Sequence, residues 1–284
     1  MEAIRHLSST TMISVCLLLV ACGSQRDFAG SNPEAMPQVI ASMGVAQACT
    51  ADLVVQIKRP DADSLTFTVN LWVDSHNRFR LHLTKLGKAF LSGRIDPDGS
   101  LKAMLVLDRV AVTTDLDQLA VSAKELDAER GGGSLAEQQL NLLTDLRLLI
   151  DEIKSGPVPQ AVSYSQSPVH NGAIVCTMAG DLQVHFTIDD GRNPEVDHKW
   201  LYREDGSLLA DIEYDNYKHL GTARRPTRIQ IDLPRDDNTY RVRVRRFDAV
   251  PGIGSDRMQV AIPDDYQVLE PKAFLDAMIG ESSE

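Results

Sequence analysis

Strict alternation of apolar and polar residues is what most limits the folds open to this chain. Phe67, Val69, Leu71 and Val73 interleave with Thr66, Thr68, Asn70 and Trp72, and after a turn at Asp74 to Asn77, Phe79, Leu81 and Leu83 interleave with Arg78, Arg80 and His82. A period of two places one set on each face of a strand, so these runs predict a half-buried antiparallel pair. Extended runs recur at Asp52–Lys58, Ala173–Met178, Leu182–Ile188, Lys199–Tyr202, Leu208–Tyr214, Thr227–Ile231, Tyr240–Phe247 and Arg257–Ile262. The dipeptides Asp98-Gly99, Asp190-Gly191 and Asp205-Gly206 sit between extended stretches and supply the positive φ of tight hairpins. The reading is a mainly β (α+β) chain built on a long meander, and a sheet that wide curls or closes.

One strong helical signal interrupts the meander. Ser134-Leu135-Ala136-Glu137 has the capping-box pattern after Gly131-Gly132-Gly133. Leu142, Leu146, Leu149, Ile150 and Ile153 follow at helical spacing, and Gly156-Pro157 marks the stop. The helix expected over 134–155 should cover the open face of the curled sheet. Shorter helices are expected over Pro37–Ala48, from Val39, Ile40 and Met43, and over Pro271–Ile279. With no repeat and no second boundary, residues 37–284 read as a single half-barrel domain.

The first residues read as an address. Met12 to Ala21 is a short apolar run after Arg5 and His6, below the ~20 residues that span a bilayer but right for a signal-peptide core. It ends in Leu19-Val20-Ala21-Cys22, which looks like a bacterial lipobox: small residues admit the peptidase and the thiol accepts a diacylglyceryl group. Residues 1–21 are then a lipoprotein signal peptide, Cys22 is the lipidation site, and residues 22–36, rich in Gly, Ser, Asn and Pro, are a flexible tether. Gly23 rather than Asp follows the cysteine, which points to the outer membrane facing the periplasm.

Charge and chemistry exclude more than they name. Lys+Arg total 29 against Asp+Glu 40, a net charge of −11 that loss of Glu2 and Arg5 leaves unchanged. Such a surface does not displace counterions from a polyanion, so no nucleic-acid partner is expected. No His-Glu-x-x-His, Gly-x-Ser-x-Gly or phosphate-binding glycine loop occurs. The histidines (His6, His76, His82, His170, His185, His198 and His219) share no close metal-ligand spacing, so no catalytic residue, metal or cofactor is assigned and the chain is not read as an enzyme. After Cys16 leaves with the signal and Cys22 is acylated, Cys49 and Cys176 remain, in a compartment that permits a disulfide. Two buried free thiols are the alternative. Arg241, Arg243 and Arg245 alternate with Val242 and Val244, either as a solvated outer face or as a patch for anionic head groups.

Taken together, the lipobox, the meander and the helix resemble the LolA/LolB-like superfamily of lipoprotein carriers and receptors. Leu71-Trp72-Val73 with Phe79 and His82 is similar to that family's early strand pair, Asp98-Gly99 to its next hairpin, and Met258-Gln259-Val260-Ala261-Ile262-Pro263 with Val268 to its closing strand and tail. The resemblance implies a half-open antiparallel barrel covered by helices. It implies an apolar cavity that binds lipid or lipoprotein acyl chains without chemistry, in the service of lipoprotein localisation. It departs in two places: Ser75 and His76 stand where the carrier has a gating arginine, and the receptor's protruding apolar loop is not recognisable. The alternative is an envelope interaction lipoprotein with a filled core and a protein partner.

Overall fold

The computed structural model describes residues 46–59, 62–131, 135–158, 161, 163–178, 182–189, 195–221, 223–235 and 237–282. The signal, Cys22, the tether, residues 37–45 of the helix expected over Pro37–Ala48, Asp190-Gly191 and Ser134 therefore lie outside the described residues, and the last residue of that expected helix, Ala48, is in a strand.

The first half of the sheet is six strands in chain order: β1 (Ala48–Arg59), β2 (Ala62–Val73), β3 (Phe79–Lys85), β4 (Lys88–Ile95), β5 (Ser100–Leu105) and β6 (Val110–Asp115). Two helices follow, α1 (Leu116–Glu129) and α2 (Leu135–Ser155). The second half runs β7 (Ser165–Gln166), β8 (Ile174–Thr177), β9 (Gln183–Asp189), β10 (Glu195–Tyr202), β11 (Leu208–Leu220), β12 (Ala223–Leu233) and β13 (Asn238–Val250). A single-turn α3 (Ser255–Met258), β14 (Gln267–Val268) and α4 (Pro271–Ser282) close the chain.

All strands join one sheet in the order β14-β6-β5-β4-β3-β2-β1-β13-β12-β11-β10-β9-β8-β7. The two meanders meet where β1 pairs with β13, from Ala48 opposite Val250 to Lys58 opposite Thr239. The alternation holds: Phe67, Val69, Leu71, Val73, Phe79, Leu81 and Leu83 are all buried, with Arg78, Arg80 and His82 on the other face. One continuous core joins this inner face to Leu119, Ala123 and Leu126 of α1, to Leu143, Leu146, Leu149, Ile150 and Ile153 of α2, and to Phe274, Leu275 and Met278 of α4. The fold is thus a large, open, curved antiparallel sheet with helices laid against its concave side.

The pairing defines two ends. The β1–β2, β3–β4, β5–β6 and β12–β13 turns lie at one end, here the rim. The β2–β3, β4–β5 and β11–β12 turns lie at the other. The chain leaves β6 at the far end, climbs through α1 and descends through α2.

Three expectations need correction. The helical interruption is a hairpin of two helices, since α1 precedes the expected one; Asp115 caps it, accepting the Gln118 N–H at 2.7 Å. No strand forms over Arg257–Ile262, because Met258 and Val260 turn in as anchors. Val260 packs on Met104 and Ala111 in a separate small core. The closing strand is instead β14, parallel to β6, with Val268 opposite Ala111. Finally, Cys49 on β1 and Cys176 on β8 are free and buried, so the disulfide is not formed. Five strands separate them in the sheet, and the end of α2 lies across the interior between their charged neighbours, Lys154 near Cys49 and Lys199 near Cys176. Burial pushes each thiol up to about 11.

Candidate functional site

The concave face and the helix that fills it form the candidate site. Alternation makes the wall apolar, and α2 presents its leucine and isoleucine stripe to that wall. The same helix also carries buried polar groups, and a buried charge needs a partner or it destabilises the fold.

Those partners come from the wall. Glu152 receives Lys199 Nζ at 2.5 and 2.6 Å and the Tyr214 hydroxyl at 2.6 Å, with all three side chains buried. Lys154 Nζ donates to the Asp74 carbonyl at 3.0 Å and to Asn77 Oδ1, both in the β2–β3 turn. Asp74 is itself fixed by Arg78, whose Nε lies 2.7 Å from its carboxylate. Arg225 on β12 donates to the Ile153 and Lys154 carbonyls at 2.8 and 3.2 Å, and its guanidinium lies 4.1 Å from the Phe247 ring centroid. A cation on the last carbonyls of a helix also complements its dipole. Burial holds the Arg225 pKa down at about 10, still protonated at neutral pH, and pushes the Tyr214 hydroxyl well above its ordinary value.

A further set of contacts lies towards the rim. There the Tyr240 hydroxyl donates to Asp145 at 2.6 Å, with Arg235 4.0 Å from the same carboxylate. The first turn of α2 is capped by Asp127 of α1, which accepts the Ala136 and Glu137 N–H groups at 2.9 Å each. Sequence reasoning assigned that cap to Ser134; the pattern was right about the helix start and silent about a cap supplied by another helix. The interior is well filled where α2 ends: a void of about 10 Å3 beside Glu152, Arg225 and Phe247 has room for one water.

The rim carries a feature that the sequence reading missed. The two-residue turn between β3 and β4 is Leu86-Gly87, with φ of 51° and 79°, and Leu86 is 95% exposed. A leucine in the left-handed region is disfavoured by its Cβ, and two positive φ values are what this hairpin turn demands. Lys85 and Lys88 flank it. Two strands along, the β5–β6 turn exposes Leu107 at 58%, beside Arg109. The available signal was Lys85-Leu86-Gly87-Lys88 itself, an X-Gly turn with an apolar residue where Asn or Asp is usual.

A second cluster lies on the opposite face of β9 and β10. Trp200 is stacked between His170 and His198, at centroid distances of 4.0 and 4.1 Å. His198 pairs with Asp211, His170 Nε2 meets the Tyr202 hydroxyl at 2.8 Å, and His185 Nδ1 meets Ser167 Oγ at 2.7 Å. Ser167 and His185 have the atoms of a nucleophile–base pair. However, Ser167 Oγ also accepts the Val169 and His170 N–H groups at 3.2 and 3.0 Å, and His185 is 2% exposed. The arrangement clamps the turn that covers the sheet. Among the described residues no three His, Cys, Asp or Glu side chains converge as metal ligands, and no helix is long and apolar enough to cross a membrane.

Of the residues singled out from sequence, Arg241, Arg243 and Arg245 are exposed on the outer face, Cys49 and Cys176 point into the core, and Cys22 lies outside the described residues.

No family model matches the chain, and no curated protein does. Solved structures do. A LolA superfamily protein from Nitrosomonas europaea is 10% identical, with 81% of this chain and 98% of that one covered at a TM-score of 0.48. A DUF1329 family protein from Desulfovibrio piger is 10% identical over the same shares, at 0.49. A domain named for outer membrane lipoprotein sorting, from Vibrio parahaemolyticus, is 11% identical over 80% of this chain and 95% of that one, at 0.44. A member of the superfamily resembled in sequence is among these structural neighbours.

Proposed function

We propose that the chain is a lipid-anchored, non-catalytic binding protein of the bacterial envelope, held to the outer membrane through Cys22. Its concave face takes an acyl chain of a lipid or lipoprotein beneath α2. The observation that carries this reading is the rim. Leu86 and Leu107 present apolar side chains to solvent from neighbouring hairpins, with Lys85, Lys88 and Arg109 beside them. Apolar tips ringed by cations suit a bilayer surface, where the leucines enter the hydrocarbon and the cations meet head groups. With those tips at the rim, the rim end is where α2 lifts and a chain enters. Each methylene that moves from water to that wall contributes about 0.8 kcal/mol.

The small void beside the end of α2 favours a second reading, in which the core stays filled and the loops engage an envelope protein. One experiment separates the two. The full chain, extracted in mild detergent, is examined by native mass spectrometry for retained lipid and titrated with a fluorescent fatty acid. Retained lipid or saturable uptake supports acyl binding. Absence of both selects the filled-core reading.

A further inference from the structure

The outer face of β11, β12 and β13 carries an arrangement that neither the acyl reading nor the core explains. Val54, Arg243, Arg228 and Asp215 stand opposite one another in turn across β1, β13, β12 and β11. Gln56, Arg241, Gln230 and Glu213 form the next row. Side chains directly opposite on one face stand ~5 Å apart at Cβ, and like charges there repel. Arg228 and Arg243 are such a pair. Arg228 has only a loose, exposed contact with Asp215 at 3.6 Å, while Arg241 reaches Gln230 at 3.3 Å, and neither Arg241 nor Arg243 meets a carboxylate among the described residues.

These rows bound a trough of about 370 Å3, floored in part by Val54, the size of a small-ligand site. Its charge is polarised across the strands: guanidinium groups on β13 and β12, then carboxylates on β11, one strand spacing of ~4.8 Å beyond. Guanidinium forks match phosphate oxygens, and the carboxylates of Asp215 and Glu213 suit an ammonium donor. A simple anion would leave those carboxylates opposing it, and a simple cation would meet the arginines.

We propose that this trough binds a phosphoethanolamine group, its phosphate on Arg228, Arg241 and Arg243 and its ammonium on Asp215 and Glu213. The two charges of that group stand one ethylene apart, in the order the strands present. The site lies on the face opposite the acyl-binding wall and does not depend on it.

The test titrates the full chain in mild detergent with soluble glycerophosphoethanolamine by calorimetry. Glycerophosphoglycerol, which has the same diester and no amine, is the comparison. The expected result is preferential binding of the amine-bearing ligand, weakened about tenfold by Arg243→Gln and by Arg241→Gln. Glu213→Gln with Asp215→Asn should abolish the preference while retaining the phosphate. All four positions are exposed, and matched thermal unfolding confirms that each variant is folded. Vesicles of phosphatidylcholine with and without phosphatidylethanolamine then tell a membrane source from a free one, and binding in either form supports the site. Equal binding of the two diesters, no binding to either ligand or vesicle, or variants that bind as the parent does would overturn it. Acyl-probe uptake should be unchanged in these variants, so failure here and failure of the acyl reading are distinct results.

Discussion

Replacing Lys199 with Met leaves the Glu152 carboxylate enclosed with the Tyr214 hydroxyl at 2.6 Å and no cation in contact. The side chains of Lys199 and Glu152 are 5% and 7% exposed, so water cannot take over the lost contact without moving α2. Removing one member of a buried pair costs about 3–5 kcal/mol, because the remaining charge keeps its desolvation penalty. For a domain of this size, with a urea slope of roughly 3 kcal/mol per M, the unfolding midpoint should fall by about 1–2 M. The pair itself is a different matter, since well-packed apolar replacements for a buried ion pair are often neutral. Glu152→Leu combined with Lys199→Met should therefore recover most of the loss. Urea titrations followed by far-ultraviolet circular dichroism on parent, single and double variants measure both quantities. A single-variant cost below about 1 kcal/mol, or a double variant no more stable than the single, would refute the view that this pair fastens α2 through mutual charge compensation.

Other outcomes follow from the rim, the histidines and the thiols. Leu86→Asn should stabilise the fold by roughly 0.5–1 kcal/mol, since Asn tolerates the left-handed turn, and should lower retention on anionic vesicles measured by co-sedimentation. Burial holds His185 and His170 below their ordinary pKa, with the charge of His170 on His185, and of His198 on His170, adding to it, while Asp211 opposes it at His170. These groups are neutral when folded and charge more readily when unfolded. The stability they confer is complete above about pH 6.5 and is lost as pH falls towards their folded values, and His185→Gln should flatten that slope in unfolding curves. Cys49 and Cys176 should resist iodoacetamide in the native state and both label in denaturant without reductant, as read by intact mass. A mass shift that needs reductant would contradict free thiols.

What the sequence made legible was whatever depends on local periodicity. The strands from Asp52 to Leu83 and the helix over 134–155 are found within a few residues, because each buries one face and its alternation records which. The short edge strand β7 has two residues and no alternation to read. The Leu116–Glu129 helix was missed for a related reason: its buried apolar residues are Leu119, Ala123 and Leu126, a narrow stripe in which alanine is a weak signal. Arg257–Ile262 reads as a strand but Met258 and Val260 are buried without one, since apolar residues alone do not show whether the backbone finds a strand partner. The interior latch was invisible for a different reason. Glu152, Lys199 and Arg225 look like solvent-facing charges in sequence, and only the long-range closure of β12 and β10 over α2 gives them partners.

That latch gives the helical cover a direction. At the far end Lys154 and Arg225 join α2 to the β2–β3 turn and to β12, and Glu152 joins it to β10 and β11. Each is a buried contact whose loss exposes or strands a polar group, so separation there is costly and cooperative. Towards the rim Tyr240 and Arg235 meet Asp145, Asp127 caps the first turn, and the apolar stripe of α2 packs on the sheet as an acyl chain would. On the acyl-binding reading, a cover that opens keeps this far-end latch and parts from the sheet at the rim, between the β12–β13 turn and the exposed leucines. The placement of Leu86 is what directs that reading to the rim: a leucine held 95% exposed in a left-handed turn gains by entering hydrocarbon, and the end that carries it is the one the reading brings to a membrane.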